Sequence, residues 1–137
     1  MSHKAGCLCG AVKVRIDAEP LGARQCWCRL CQYLSAGGGT VNVIFPADAI
    51  VSEGEVRWIE GIAESGNAMR RGFCPACGTQ IFSQSSGRPH LMIVRAGALD
   101  DPDLARPQSV IWTAEAPGWA HFDPALPQVE RQPPPIA

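Results

Sequence analysis

The sequence predicts a mainly β fold, a small two-layer β domain or an open barrel. Two observations support this prediction. About seven short segments of apolar, β-branched or alternating residues follow one another at fairly regular spacing, with Gly and Pro between them. The chain has 137 residues, 46% of them hydrophobic, which suits one compact core. We therefore expect a single domain over residues 1–137.

The predicted strands follow from local patterns. Residues 11–17 alternate between apolar and polar side chains, which places Val12, Val14 and Ile16 on one buried face. Residues 40–45 are β-branched or apolar and lie between a run of glycines and a proline. Because two further strands flank Cys74 and Cys77, we expect a hairpin around a tight cysteine turn. The remaining predicted strands, including that hairpin, are residues 56–59, 69–73, 80–83, 90–95 and 109–112.

Helical signals are short and none can organise the fold. We expect one or two turns within residues 29–35 and single turns at 46–49 and 102–104. After Leu126, prolines replace apolar periodicity, so residues 129–137 are predicted to form an extended Pro-rich tail.

Charge and hydropathy exclude several classes of function. Lys and Arg number 12 against 13 Asp and Glu, giving a net charge of -1, whereas nucleic-acid binding normally requires a basic excess. No apolar run approaches the roughly 20 residues of a membrane-spanning helix. The first residues also lack the apolar stretch of a secretion signal. We therefore expect a cytoplasmic protein that binds neither nucleic acid nor membranes.

The seven cysteines are the most informative residues. Their number is odd and the expected compartment is reducing, so disulfides are disfavoured. None stands alone, and clustered thiolates are typical ligands of zinc. The clusters are Cys7 with Cys9, Cys26 with Cys28 and Cys31, and Cys74 with Cys77.

The seven cysteines can supply two metal sites, one with four thiolate ligands and one with three. The two isolated pairs, each followed by glycine, are predicted to form one structural four-thiolate zinc site that closes a long loop. The compact triad would then hold a second zinc with an open coordination position. A visiting thiol bound there would be kept as the thiolate, the nucleophilic form of sulfur. Alternatives for the triad are a structural site completed by a histidine or carboxylate, an iron–sulfur cluster, or a redox dithiol at Cys28 and Cys31.

Five motifs occur in a specific order along the chain. They are Cys7-Leu8-Cys9-Gly10, Cys26-Trp27-Cys28-Arg29-Leu30-Cys31, Phe73-Cys74-Pro75-Ala76-Cys77-Gly78-Thr79, Gly97-Ala98-Leu99-Asp100-Asp101-Pro102, and Arg106-Pro107 with Ile111-Trp112. This order, over roughly residues 5–128, resembles that of the glutathione-dependent formaldehyde-activating enzyme family.

The resemblance implies a fold similar to methionine-R-sulfoxide reductases and the translationally controlled tumour protein. It implies a structural zinc at Cys7, Cys9, Cys74 and Cys77 and a catalytic zinc at Cys26, Cys28 and Cys31. The implied activity is that of a carbon–sulfur lyase in formaldehyde detoxification, joining glutathione and formaldehyde to give S-(hydroxymethyl)glutathione. Two alternatives remain open, a zinc-stabilised protein-binding module without chemistry and a thiol redox protein.

Glutathione carries two carboxylates and one ammonium, so its pocket should present fixed cations. Arg29, inside the triad loop, is the first candidate for a carboxylate partner, and Trp27 is a candidate wall of the open coordination position. Weaker cationic candidates are Arg70, Arg71 and Arg95. The sequence leaves open the aldehyde, the thiol, the resting fourth ligand and the oligomeric state, a homo-oligomer included.

Other residues are expected to be structural. We expect Trp112 and Trp119 to lie in the core. The histidines are predicted not to bind metal, with His3 terminal and mobile and His90 and His121 hydrogen-bonded or partly exposed. Asp100 and Asp101 are predicted to form a turn.

Overall fold

A computed structural model describes residues 2–135 of the chain. In that range the fold is mainly β, as predicted, with eleven strands and one short α-helix. The strands are β1 (His3–Gly6), β2 (Lys13–Ile16), β3 (Gly22–Cys26), β4 (Thr40–Pro46), β5 (Ile50–Glu53), β6 (Arg57–Ile62), β7 (Ala68–Phe73), β8 (Gln80–Ser85), β9 (Leu91–Arg95), β10 (Ser109–Ile111) and β11 (Gln128–Val129). The helix is α1 (Arg29–Leu34).

The strands form two sheets. A three-stranded antiparallel sheet has the order β1-β2-β5. An eight-stranded sheet has the order β11-β10-β3-β4-β9-β8-β7-β6. Its strands are antiparallel except that β10 runs parallel to both β3 and β11.

Both sheets contribute side chains to one hydrophobic core. Val14 and Ile16 of β2 belong to the same buried cluster as Val43 and Phe45 of β4. Because successive side chains of a strand point to opposite faces, the alternation seen in the sequence puts these residues inside. Val12 is also buried, so the predicted buried face of residues 11–17 is confirmed.

The remaining regular structure consists of α1 and four short 3-10 turns. The Sγ atom of Cys28 accepts a hydrogen bond from the Cys31 backbone N–H and caps the start of α1. The helix ends where Ala36 and Gly37 adopt positive φ angles of 60° and 114°. The 3-10 turns are Ala47–Ala49, Ala96–Ala98, Pro102–Ala105 and Thr113–Glu115. The helical turns predicted at 29–35, 46–49 and 102–104 are therefore confirmed. No helix in residues 2–135 is long and apolar enough to cross a membrane.

The structure differs from the sequence-based expectations at several places. Trp112 is buried as predicted, but Trp119 is 66% exposed, so its placement in the core is wrong. His3 lies in β1, where its ring contacts Glu19 at 2.8 Å, and is therefore not a free terminal residue. The sequence does not predict strands β1, β3 and β5. β11 contains Val129, the first residue of the tail predicted at 129–137; residues 130–135 form no helix or strand, and residues 136–137 lie outside the described residues.

Candidate metal centres and cavity

The cysteines at 7, 9, 74 and 77, named here the four-cysteine cluster, come together from two turns. Cys7 and Cys9 lie between β1 and β2, and Cys74 and Cys77 lie between β7 and β8. The Sγ atoms of Cys7 and Cys9 are 3.6 Å apart, those of Cys9 and Cys74 are 3.8 Å apart, and all four lie within 4.8 Å of one another. A tetrahedral zinc site with Zn–S bonds of about 2.3 Å has sulfurs about 3.8 Å apart. The cluster therefore fits a four-coordinate metal.

Local backbone geometry shapes the two cysteine turns. Gly10 and Gly78 follow the pairs with φ angles of +82° and +79°, the left-handed region that glycine enters without strain. The Leu8 backbone N–H donates to the Thr79 hydroxyl at 3.1 Å and so connects one turn to the other. A hydrogen bond from that hydroxyl also lowers the pKa of Cys77 to about 5. The Thr79 hydroxyl thus favours the thiolate form of Cys77, the form that binds a metal.

The cysteines at 26, 28 and 31, named here the three-cysteine cluster, lie at the junction of β3 and α1. All three are buried, and their Sγ atoms lie within 4.8 Å of one another. Hydrogen bonds from Cys26 and Cys28 lower the pKa of the Cys31 thiol to about 3, while hydrogen bonds with its two neighbours raise the pKa of Cys26. Within residues 2–135, no histidine, carboxylate or further cysteine joins this cluster with a ligand atom. The protein can therefore offer a metal three cysteine sulfurs here.

The three-cysteine cluster forms part of the wall of a cavity of about 220 Å³. The cavity lies on the face of the eight-stranded sheet opposite the core. In β4, Val43 and Phe45 point into the core, whereas Asn42 and Ile44 line the cavity. Leu30 and Leu34 of α1, together with residues 63–65, form further parts of the wall.

The cavity is rich in guanidinium groups. Arg24, Arg71, Arg88 and Arg95 line it, and Glu64 is the one acidic side chain among the lining residues. The guanidinium groups are close enough to repel one another: burial and then repulsion by Arg88 lower the pKa of Arg24. Like charges brought together in this way favour an anionic ligand.

Arg95 is the most unusual of these cations. It is only 8% exposed, and burial lowers its pKa. Its Nη1 donates to Asn42 Oδ1 at 2.5 Å, but its Nε has no hydrogen-bond partner among the described residues. A buried charge without an acidic partner is unfavourable, so nearby thiolates or an anionic ligand must supply the compensation.

Two of the arginines predicted from the sequence line the cavity, namely Arg71 and Arg95. Arg29 does not: its guanidinium donates to Gln32 at 2.5 Å and lies 5.1 Å from the centre of the Tyr33 ring. Arg70 stacks 4.0 Å over Trp58, away from the three-cysteine cluster.

Trp27 is buried but does not line the cavity. Its ring packs edge-on against the rings of Trp119 and Phe122, with distances between ring centroids of 6.2 Å and 5.9 Å. Trp119 therefore covers Trp27 from the surface although it is outside the core.

Sequence reasoning missed Arg24 and Arg88. Arg24 lies two residues before Cys26 in β3, so the two side chains share a face of the strand, a signal that the sequence contains. Arg88 lies in the turn between β8 and β9, and no local pattern marks it.

Comparisons with known proteins are consistent with this geometry. A crystal structure of a protein from Rhodobacter sphaeroides is similar with a TM-score of 0.57 and 22% sequence identity, covering 76% of this chain and 96% of that chain. At that identity the likeness concerns the fold alone. No curated protein gives a significant match. A family model described as "glutathione-dependent formaldehyde-activating enzyme" matches residues 2–115, which include all seven cysteines. The chain therefore belongs to the glutathione-dependent formaldehyde-activating enzyme family.

Proposed function

We propose that this protein is a zinc-dependent carbon–sulfur lyase that joins glutathione to formaldehyde or a related small aldehyde. One observation carries the proposal: a cluster of three cysteine sulfurs, without a fourth protein ligand in residues 2–135, forms part of the wall of an arginine-lined cavity. A cavity of this kind suits a ligand with carboxylates at one end and a sulfur at the other. The family membership supports glutathione and formaldehyde as the substrates.

In the proposed mechanism Cys26, Cys28 and Cys31 would hold the catalytic zinc. When bound, zinc supplies Lewis acidity that keeps a neighbouring thiol deprotonated. Arg24, Arg71, Arg88 and Arg95 would bind the glutathione carboxylates and so orient its sulfur toward the cluster. The sulfur then forms a bond with the aldehyde carbon, and the carbonyl oxygen takes up the proton that the thiol gave up. The reaction needs no oxidant or reductant.

The four-cysteine cluster would hold a structural zinc. Its sulfurs come from two different sheets, so a bound metal would join the β1–β2 turn to the β7–β8 turn. We further propose that residues 1–137 form one domain with the fold of methionine-R-sulfoxide reductases and the translationally controlled tumour protein. The core shared by the two sheets supports the single domain. The seven clustered thiols, all free of disulfides, support a cytoplasmic location.

Cobalt substitution tests the proposed activity. Cobalt bound by thiolates has absorption bands that respond to a change of ligand, so glutathione should shift the bands that belong to the three-cysteine cluster. S-methylglutathione, which has the same carboxylates but no free thiol, is the matched control and should leave the bands unchanged. A chain in which Cys26, Cys28 and Cys31 are replaced by Ser should lose the response. If glutathione leaves the cobalt bands of the intact chain unchanged, thiol activation is wrong and a non-catalytic binding module is favoured.

A further inference from the structure

The last described residues of the chain reach the cavity of the three-cysteine cluster. Gln132 and Pro135 line it together with the cysteines. The family model ends at residue 115, so this part of the wall lies outside the matched region. The cavity of this protein is therefore completed by a segment that the family match does not cover.

The first part of this segment is firmly attached to the fold. β11 pairs with β10, and beyond it the Trp112 and Ala114 backbone N–H groups donate to carbonyls of the segment at 3.3 and 3.1 Å. The indole Nε1 of Trp112 donates to Gln132 Oε1 at 3.0 Å. Trp112 is buried in the same cluster as Cys26, Cys28 and Cys31. These contacts fix the segment beside the three-cysteine cluster as far as Gln132.

The second part, residues 133–135, is attached differently. Its three prolines have no backbone N–H, so this part can accept hydrogen bonds but cannot donate them from the main chain. The Pro134 carbonyl accepts one from Arg24 Nη2 at 3.3 Å. That guanidinium also lines the cavity beside Arg88. The acceptor of this Arg24 hydrogen bond is thus a neutral carbonyl. A carboxylate would bind the same guanidinium more strongly, because donor and acceptor of the hydrogen bond would then both be charged.

We propose that Arg24 is a carboxylate-binding residue of the site and that the Pro134 carbonyl takes the place of the substrate carboxylate in the free protein. The inference rests on the proposed function and names the group that would recognise one carboxylate of the thiol substrate. Substrate binding then requires residues 133–135 to leave Arg24, and the C-terminal segment lowers the affinity for anionic thiols.

Calorimetric titration of zinc-loaded protein with S-methylglutathione tests the inference. A chain ending at Gln132 with an amidated C-terminus, so that the truncation adds no carboxylate beside Arg24, should bind this ligand with a Kd about three- to tenfold lower, the range for one net hydrogen bond regained. An amidated chain ending at Pro135 is the matched control, because it retains the Pro134 carbonyl, and its Kd should exceed that of the amidated chain ending at Gln132 by the same factor. The effect of the truncation should disappear when Arg24→Ala is present, because there is then no guanidinium to release. The inference would be overturned by an unchanged or higher Kd after truncation. It would also be overturned if truncation lowered the Kd equally in the Arg24→Ala variant, or if S-methylglutathione bound to no variant.

The same ligand separates this inference from the proposed function. S-methylglutathione has no thiol, so its binding reports on contacts other than those of a thiolate with the metal. Tighter binding after truncation together with silent cobalt bands upon glutathione addition would support the Arg24 contact and refute the proposed activity. Cobalt bands that shift with glutathione, together with a Kd for S-methylglutathione that truncation leaves unchanged, would support the proposed activity and refute the Arg24 contact.

Discussion

Removing metal from the four-cysteine cluster should destabilise the fold far more than removing it from the three-cysteine cluster. Cys9 and Cys74 lie 65 residues apart in the chain, although their Sγ atoms are 3.8 Å apart. Closing a loop of that length by a cross-link reduces the entropy of the unfolded chain by the equivalent of about 4 kcal/mol. The three-cysteine cluster closes a loop of only six residues, Cys26 to Cys31, for which the same relation gives about 2 kcal/mol. Because a domain is stable by only about 5–15 kcal/mol, the difference is measurable.

Urea denaturation of two complementary variants measures this difference. With Cys26, Cys28 and Cys31 replaced by Ser, the zinc-loaded chain should stay folded but inactive, and a strong chelator should then lower its free energy of unfolding by about 4 kcal/mol. The Cys28→Ser replacement retains a side-chain acceptor at the start of α1, where Cys28 now caps the helix. With Cys7 and Cys9 replaced by Ala, the three-cysteine cluster is intact. Chelation should then lower the free energy of unfolding by only about 2 kcal/mol. Replacing Cys74 by Ala removes a ligand of the same cluster and also a completely buried side chain, so it should lower the free energy of unfolding by more than the replacement of Cys7 and Cys9 does. Equal losses on chelation of the two variants would refute the reasoning and favour two structural sites.

Three further predictions concern single side chains. Arg95→Met should raise the glutathione Kd about tenfold in calorimetry, as expected when a charge-assisted hydrogen bond is lost. It should lower the urea midpoint little, because no Asp or Glu among the described residues forms a salt bridge with Arg95. Arg29→Ala, outside the cavity, should leave the Kd unchanged, and equal effects of both replacements on the Kd would contradict the role of the cavity. Phe45→Ala should lower the free energy of unfolding by about 3–5 kcal/mol, whereas Ile59→Ala at an exposed position should change it by less than about 0.5 kcal/mol; similar losses would disprove the assignment of the core. Glu115→Ala removes the carboxylate that accepts from the Arg29 backbone N–H at 2.6 Å and should cost about 1 kcal/mol in urea denaturation, as for other helix caps; no loss would show that this contact does not support α1.

The sequence predicts those parts of the fold that are decided locally. The alternation in residues 11–17 determines which face of β2 is buried, whatever strand pairs with it. Gly78 and the Cys-x-x-Cys spacing determine the tight turn between β7 and β8. The division of the cysteines into clusters of four and three is likewise confirmed, because chemistry and spacing leave few ways to group seven thiols.

Other parts depend on contacts between distant residues. β1 contains no β-branched or aromatic residue apart from the His3 ring and becomes a strand because it pairs with β2. β3 also has weak intrinsic preference for a strand, but it lies between β4 and β10, which supply backbone partners on both sides. Trp119 has a large aromatic side chain of the kind that is often buried, yet it lies on the surface, where its ring packs against Trp27. Arg24 and Arg88 are brought together from β3 and from the turn after β8, and no local pattern encodes that proximity.

The chain topology supports the proposed division of roles, with a structural metal at the four-cysteine cluster and a catalytic metal at the three-cysteine cluster. A metal that exchanges ligands during a reaction passes through states with weaker binding, so a fold that depended on it would loosen in each cycle. The four-cysteine cluster joins turns of two different sheets, and its metal would therefore be needed for their relative placement. The three-cysteine cluster takes all its ligands from one strand end and the first turn of α1, which are already positioned by β4, β10 and the Cys28 cap. If this cluster holds the catalytic zinc as proposed, ligand exchange there would not break a link between the two sheets, which is the condition that a reactive metal centre has to meet.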